Sequence, residues 1–209
     1  MITPQRQALI TLPAVALIIL AAGASTRLGT PKQLLTYGGQ SLLFRATQTA
    51  LASVCKPVVI VLGAYAEALK QEVKDLPVEV VENPNWTEGM SSSVRTGITA
   101  LNSFSDQIDA AVLMLCDQPF VSVDVINNLV EIYSVTNKLI IASEYGGALG
   151  VPALFSRSLF EELVILKGDV GAKRVITKYS SEVYKVAFSR GAIDIDTPQD
   201  YQEFLALLG

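Results

Sequence analysis

Apolar residues fall into short runs along this chain: Val15 to Leu20, Val58 to Leu62, Val78 to Val81, Ala110 to Leu115 and Leu139 to Ala142. Runs this short, rich in Val, Ile and Leu and largely without in-out alternation, read as strands covered on both faces. Between them apolar positions recur at the spacing of one helix face, around Leu42 to Ala52, Tyr65 to Lys74, Ser92 to Leu101, and from Ser122 to about Tyr133. Alternating strands and helices predict repeated βα units, and such units require a mostly parallel sheet with helices on both sides. The expected fold class is α/β: three layers, α/β/α, around a Rossmann-like sheet.

Beyond Ser143 the rhythm breaks. Gly146-Gly147, Gly150 and Pro152 punctuate a loop or irregular hairpin. Helices near Ser158 to Leu163 and Ala172 to Tyr179 follow, then a strand at Val183 to Ala187. A last helix starts at Pro198, with Thr197 as its N-cap and proline at the first helical position. Residues 1–13 read as a loose leader and residues 14–209 as a single domain, its second part appended to the sheet.

The stretch from Gln7 to Thr26 carries no charge and runs into Ala22-Gly23-Ala24, which imitates a signal-peptide cleavage site. Against that reading, the basic start is one Arg6, Pro13 divides the stretch, and its apolar part is too short to span a bilayer. It reads better as the first buried strand.

Composition narrows the chemistry. With 209 residues, 50% of them hydrophobic, the chain can bury one sizeable core. It contains 0 histidines, which removes Ser-His-Asp triads, Cys-His pairs and His-ligated zinc or iron sites. A net charge of -4 with scattered Lys and Arg offers no basic stripe for nucleic acid, so no nucleic-acid or membrane partner is expected. Cys55 and Cys116 lie far apart inside apolar runs, as reduced core thiols of a cytoplasmic protein would.

What remains is phosphate, carboxylate and backbone chemistry, and the sequence is rich in it after the first strand. Leu20-Ala21-Ala22-Gly23-Ala24-Ser25-Thr26-Arg27-Leu28-Gly29-Thr30-Pro31-Lys32 sits where open α/β sheets bind ligands. Gly23 and Gly29 permit close approach of the backbone and positive φ, while Arg27 and Lys32 supply fixed positive charge for a polyphosphate. The spacing is neither the dinucleotide fingerprint nor a P-loop. An ordinary strand-to-helix connection with surface charges is the plainer alternative.

Three further segments could face the same edge. Glu88-Gly89-Met90-Ser91-Ser92-Ser93 opens a helix, whose amides and hydroxyls can hold an anion or a base edge, although simple capping by Ser91 or Ser92 also fits. Asp117, in Cys116-Asp117-Gln118-Pro119, ends a buried strand and is a candidate Mg²⁺ ligand or a turn residue. In Asp194-Ile195-Asp196-Thr197-Pro198 both carboxylates fall on one side if the piece is extended, and helix capping again competes.

The pattern L-A-A-G-x-S-x-R-x-G-x-P-K-x-L resembles the signature of nucleotidyltransferases similar to molybdenum cofactor cytidylyltransferase and guanylyltransferase. That resemblance covers the chain from Val15 to the last helix and implies a nucleotide-binding half of about 14–144 and an acceptor-side half of about 145–209. It implies that Leu20, Ala21, Ala22, Gly23, Ser25, Gly29 and Lys32 bind nucleotide. It also places Gly89, Ser92 and Ser93 against the base, and gives Arg27, Lys32 and Asp117 catalytic roles. The D-Q-P and D-x-D-T-P-x-D segments imply a Mg²⁺ site of Asp117 and Asp196. Gln118, Pro152, Lys173 and Arg174 would lie on the acceptor side, in G-x-P-x-L-F and G-D-x-G-A-R-like segments. The implied partners are an NTP, with CTP suggested by L-A-A-G, and a phosphorylated acceptor such as molybdenum cofactor, with delivery to a molybdoenzyme as a further implication. Val151, where many relatives carry histidine, and Lys173, where they carry arginine, depart from the pattern on the acceptor side.

Overall fold

A computed structural model of the chain describes residues 13–104 and 108–207. The leader expected at 1–13 lies outside them apart from Pro13. The first apolar run is β1 (Val15–Ala21), buried along its whole length. After it come a small hairpin, β2 (Thr36–Tyr37) and β3 (Gln40–Ser41), then α1 (Leu42–Ala52), β4 (Val58–Leu62), α2 (Ala66–Val73), β5 (Glu79–Glu82) and α3 (Met90–Ala100). The second half contains β6 (Ala110–Leu115), α4 (Val123–Val135), β7 (Ile140–Tyr145), β8 (Ala148–Ser156), α5 (Phe160–Val164), α6 (Lys173–Lys178), β9 (Val183–Ala187) and α7 (Pro198–Ala206).

One sheet of seven strands runs in the order β5-β4-β1-β6-β8-β7-β9. Its pairs are parallel except where β8 runs antiparallel between β6 and β7. Alternate residues of the strands serve opposite faces, as the pleat requires. Leu17, Ile19, Ile60 and Val112 pack with Leu43, Leu69 and Leu129 of α1, α2 and α4. Ile18, Val61 and Leu113 pack with Val94, Leu163 and Ile176 of α3, α5 and α6. The three-layer α/β/α expectation holds. A smaller cluster of Leu42, Ile195 and Phe204 seats α7 against the start of α1.

The region expected as a loop or irregular hairpin is a hairpin built on the nine-residue β8. Its register against β7 shifts between Ala142 and Ser143, opposite the Val151-Pro152 step. Proline has no amide to donate to a ladder, and an interruption of pairing is where a strand tolerates it.

Strand order places the site. After β1 the chain steps to β4 and β5 on one side, then returns to β6 on the other. The connections leaving the carboxyl ends of β1 and β6 diverge, which opens a crevice between them, the usual ligand position in such sheets. Gly97 lets α3 lie close over β1, since a Cβ there would stand 2.6 Å from Ile18 Cγ2.

Candidate active site

The loop leaving β1 is shaped by its own hydrogen bonds. The Ser25 carbonyl accepts from the amides of Leu28 at 3.0 Å and Gly29 at 3.2 Å, and Ser25 Oγ accepts from the Lys32 amide at 3.1 Å. Positive φ falls on Gly29 (76°) and on Ser25 itself (51°), but not on Gly23. The left-handed role expected of Gly23 thus belongs to Ser25. Gln33, 1% exposed, pins the loop from beneath by donating from Nε2 to the carbonyls of Ala21 and Gly23, both at 2.9 Å. Sequence reasoning passed over Gln33, because a buried amide inside a loop leaves no periodic signal.

Lys32 is carried by this loop to the end of β6. Its Nζ donates to Asp117 Oδ2 and, at 2.9 Å, to Asp196 Oδ1. Arg27 reaches Asp196 Oδ2 at 2.7 Å from a side chain that is 70% exposed. The segment bearing Asp196 is held beside β6 by the Ile195 amide, which donates to the Asp117 carbonyl at 3.3 Å. Ile195 points inward and is fully buried, so Asp194 and Asp196 flank it. Capping also holds: Thr197 Oγ1 accepts from the Asp200 amide, and Asp200 accepts in return from the amides of Asp196 and Thr197. Residues separated by 169 positions in the chain, Arg27 and Asp196, are thereby brought into one cluster.

Burial alone would lower the Lys32 ammonium, but Asp117 and then Asp196 outweigh it and hold it above its ordinary value. Burial alone would raise the Asp196 carboxyl, but Lys32 and Arg27 outweigh it and hold it below the ordinary 3.8. Asp194 reaches solvent on one side. Desolvation by the surrounding chain, then the charge of Asp117, push its carboxyl up to about 6. Burial also pushes the thiols of Cys55 up to about 11 and Cys116 up to about 12, so both are inert at neutral pH.

These shifts have opposite consequences for stability. The stability contributed by Asp196 is complete above pH 3.8 and is lost as acid protonates the folded carboxylate below that value. The contribution of Asp194 is complete below 3.8 and is lost as pH rises through about 6. Thermal melts across pH should therefore show Asp196→Asn flattening the acid limb. Asp194→Asn should raise the midpoint at neutral pH and leave it nearly unchanged in acid. A neutral-pH midpoint lowered by Asp194→Asn would contradict the assignment.

A cleft of about 290 Å³ lies over these groups. Leu20, Ala21, Ala22, Gly23, Lys32, Gly89, Ser93 and Asp117 line it. Ser25 and Gly29 shape the loop behind the cleft; Arg27 and Asp196 do not line it and connect to it through Lys32, which does. Ser92 does not line it. Its hydroxyl donates to the Gly89 carbonyl at 2.8 Å and accepts from Asn83 Nδ2 at 2.7 Å, so it is spent on holding the start of α3. Ser93 Oγ accepts from the same amide at 3.1 Å and keeps its proton for the cleft. Trp86, Thr87 and Asp169 also line the cleft and were not anticipated. Trp86 lies two residues before the Glu88 to Ser93 segment, and an aromatic residue so close to a predicted base-binding segment was the signal available.

Gly89 adopts φ 96°, and a Cβ on it would stand 1.8 Å from Asp169 Oδ1. The loop of Gly168 to Gly171 thus packs directly on the start of α3, tied by the Ser91 amide donating to the Gly168 carbonyl at 3.1 Å. Across this loop lies a second, mostly apolar cavity of about 220 Å³, which shares Leu20, Met90, Leu115 and Asp169 with the first. Of the four residues expected on the acceptor side, only Lys173 lines it. Pro152 is buried, and its carbonyl accepts from Ser143 Oγ at 2.7 Å. Arg174, one residue along α6, turns to a groove with Glu162 and Lys178. Gln118 is 4% exposed and braces the turn before Ile193 by donating to the Gly191 carbonyl at 3.2 Å. Adjacent positions on a helix, or on either side of a strand end, point different ways; a motif string does not record this.

Two aspartates suit a metal only in partnership with a ligand. Among the described residues no three carboxylate or thiol side chains cluster for one ion, yet Asp117 Oδ1 is buried and has no hydrogen-bond partner among them. A magnesium-like ion that takes one or two carboxylates and fills its remaining positions with phosphate oxygens and water fits that donor set. No helix among the described residues is long and apolar enough to cross a membrane.

The chain matches the MobA-like NTP transferase domain over residues 17–183. It is 30% identical to the purine catabolism protein PucB of Bacillus subtilis, over 88% of this chain and 92% of that protein. It is 23% identical to the molybdenum cofactor cytidylyltransferase of Escherichia coli, over 88% and 92%. It is also 41% identical to the nicotine blue oxidoreductase of Paenarthrobacter nicotinovorans, over 56% of each protein, so that match spans little more than half of the relative. Among solved structures, Rv0371c of Mycobacterium tuberculosis superposes with a TM-score of 0.80 at 30% identity, covering 94% of this chain and 100% of that one. A manganese complex of the same protein superposes at 0.75, with 28% identity, over 92% and 98%. The glycine loop, the crevice at the β1–β6 divergence and a domain match spanning most of the sheet agree: the chain belongs to the family of MobA-like NTP transferase domains and is a nucleotidyltransferase.

Proposed function

We propose that this nucleotidyltransferase moves CMP from CTP onto the terminal phosphate of the molybdopterin form of molybdenum cofactor, releasing pyrophosphate. The observation that carries the reading is the meeting of Lys32 with Asp117 in the lining of one cleft beneath a glycine loop, Lys32 also pairing with Asp196 beside it. The L-A-A-G form of that loop favours CTP, and the E. coli relative named for this reaction supports the acceptor. In the transfer, an acceptor phosphate oxygen forms the bond to the α-phosphorus as the bond to the bridging β-phosphate oxygen breaks. The acceptor phosphate is largely dianionic at neutral pH and needs no protein base. Lys32 and Arg27 stabilise charge gathering on the departing pyrophosphate, and the loop pinned by Gln33 fixes the triphosphate's line of approach. Asp117 and Asp196 would hold Mg²⁺, which would supply neutralising charge for the triphosphate.

Val151, in place of the histidine of many relatives, sets the acceptor side apart from theirs, and a sugar or polyol phosphate is the alternative acceptor class. A purely carrier role is disfavoured by the buried ion pairs of Lys32, which a delivery module does not require. Pyrophosphate release measured with each of the four NTPs, and with molybdenum cofactor against a panel of sugar and polyol phosphates, is expected to be fastest with CTP and molybdenum cofactor. Release with a sugar phosphate only would replace this acceptor by the alternative.

A further inference from the structure

We propose that the Lys32 ammonium is a placeholder for the divalent cation: it occupies the position between Asp117 and Asp196 in the free protein and yields it when a triphosphate draws the lysine away. The two aspartates have four carboxylate oxygens between them. Lys32 takes Asp117 Oδ2 and Asp196 Oδ1, and Arg27 takes Asp196 Oδ2, so the buried Asp117 Oδ1 alone lacks a partner.

Charge makes this arrangement selective. Two carboxylates and two cations sum to zero, so the closed cluster exerts little net pull on a dication. The two cations that close it are also the groups placed to meet the triphosphate. Once they turn to the phosphates, the two carboxylates are left with their charge uncompensated, and phosphate oxygens complete an ion's coordination. Of the two, Lys32 is decisive. Its side chain is 19% exposed, whereas that of Arg27 is 70% exposed and its pair is screened by water. The free protein therefore binds metal weakly, and metal enters together with nucleotide. This rests on the nucleotidyltransferase reading for the identity of the ligand that draws Lys32 away, but its test uses no nucleotide.

Free Mn²⁺ would be followed by electron paramagnetic resonance during titration of nucleotide-free protein. Lys32→Met is expected to bind Mn²⁺ at least ~10-fold more tightly than the wild type, and Arg27→Gln less than ~3-fold more tightly. Equal or weaker binding by Lys32→Met would overturn the inference, as would an equal gain in Arg27→Gln, which would indicate a general charge effect. Should Lys32→Met fail to fold, reductive methylation of the wild type, read by mass spectrometry, decides the matter. Lys32 should react slowly in the free protein and faster at saturating Mn²⁺; an unchanged or slower rate would count against displacement. Absence of pyrophosphate release with every NTP would overturn the functional reading alone.

Discussion

Asp117→Asn is expected to lower kcat/KM for pyrophosphate release by about a thousandfold, ~4 kcal/mol of transition-state stabilisation. The substitution keeps the shape of the side chain and removes its charge. Asp117 stands at the end of β6, 5% exposed, where it meets Lys32. No other carboxylate among those described is so deeply set in the cleft, so no neighbour can take over its role toward the α-phosphate. The cost in stability should be smaller, about 1.5–3 kcal/mol for one hydrogen bond to a charged group, because Lys32 keeps Asp196. Affinity for CTP in the absence of metal should rise, since Lys32 is then held by one carboxylate instead of two and the cleft loses a negative charge. Activity within tenfold of wild type would refute the role given to Asp117.

Gln33→Leu should have the next largest effect although Gln33 touches no reacting atom. Leucine fits the same space but cannot donate, so the carbonyls of Ala21 and Gly23 lose the amide that holds them. Orphaning the buried Ala21 carbonyl costs about 1–3 kcal/mol, and the Gly23 carbonyl, which is only part-buried, costs less. The loop should relax, and a displacement of about 1 Å in a positioning element is worth about 100-fold in rate. The expected pattern is a lower melting temperature together with a loss in kcat at saturating CTP. A folded Gln33→Leu protein with wild-type kcat would show that the loop is held by other means.

The extent to which this structure could be read in the sequence varies with the physics of each element. Val58–Leu62, Ala110–Leu115 and Val183–Ala187 were placed to the residue, and burial on both faces explains the first two, which have only apolar positions. The β2–β3 hairpin was invisible because two residues per strand around Gly38-Gly39 have no periodicity to detect. For β8 the pattern leaves a loop or an irregular hairpin open because Gly150 and Pro152 interrupt it, and pairing with neighbours on both sides, with a register shift, decides for the hairpin. At the site, charged residues were legible because an aspartate or lysine after a buried strand has few other reasons to be there. The fate of Ser92, Gln118 and Arg174 was not, because side-chain direction depends on what packs behind them.

The wall of Met90 and Asp169, standing between the two cavities on the Gly89 contact, constrains how this protein can change. A mutation that reshapes one chamber moves a surface of the other, so the shapes of the two are inherited as a linked pair. Selection for a changed second chamber should accordingly bring compensating changes around Gly89 and Met90, and variants that alter only the 168–171 loop should also change the first chamber.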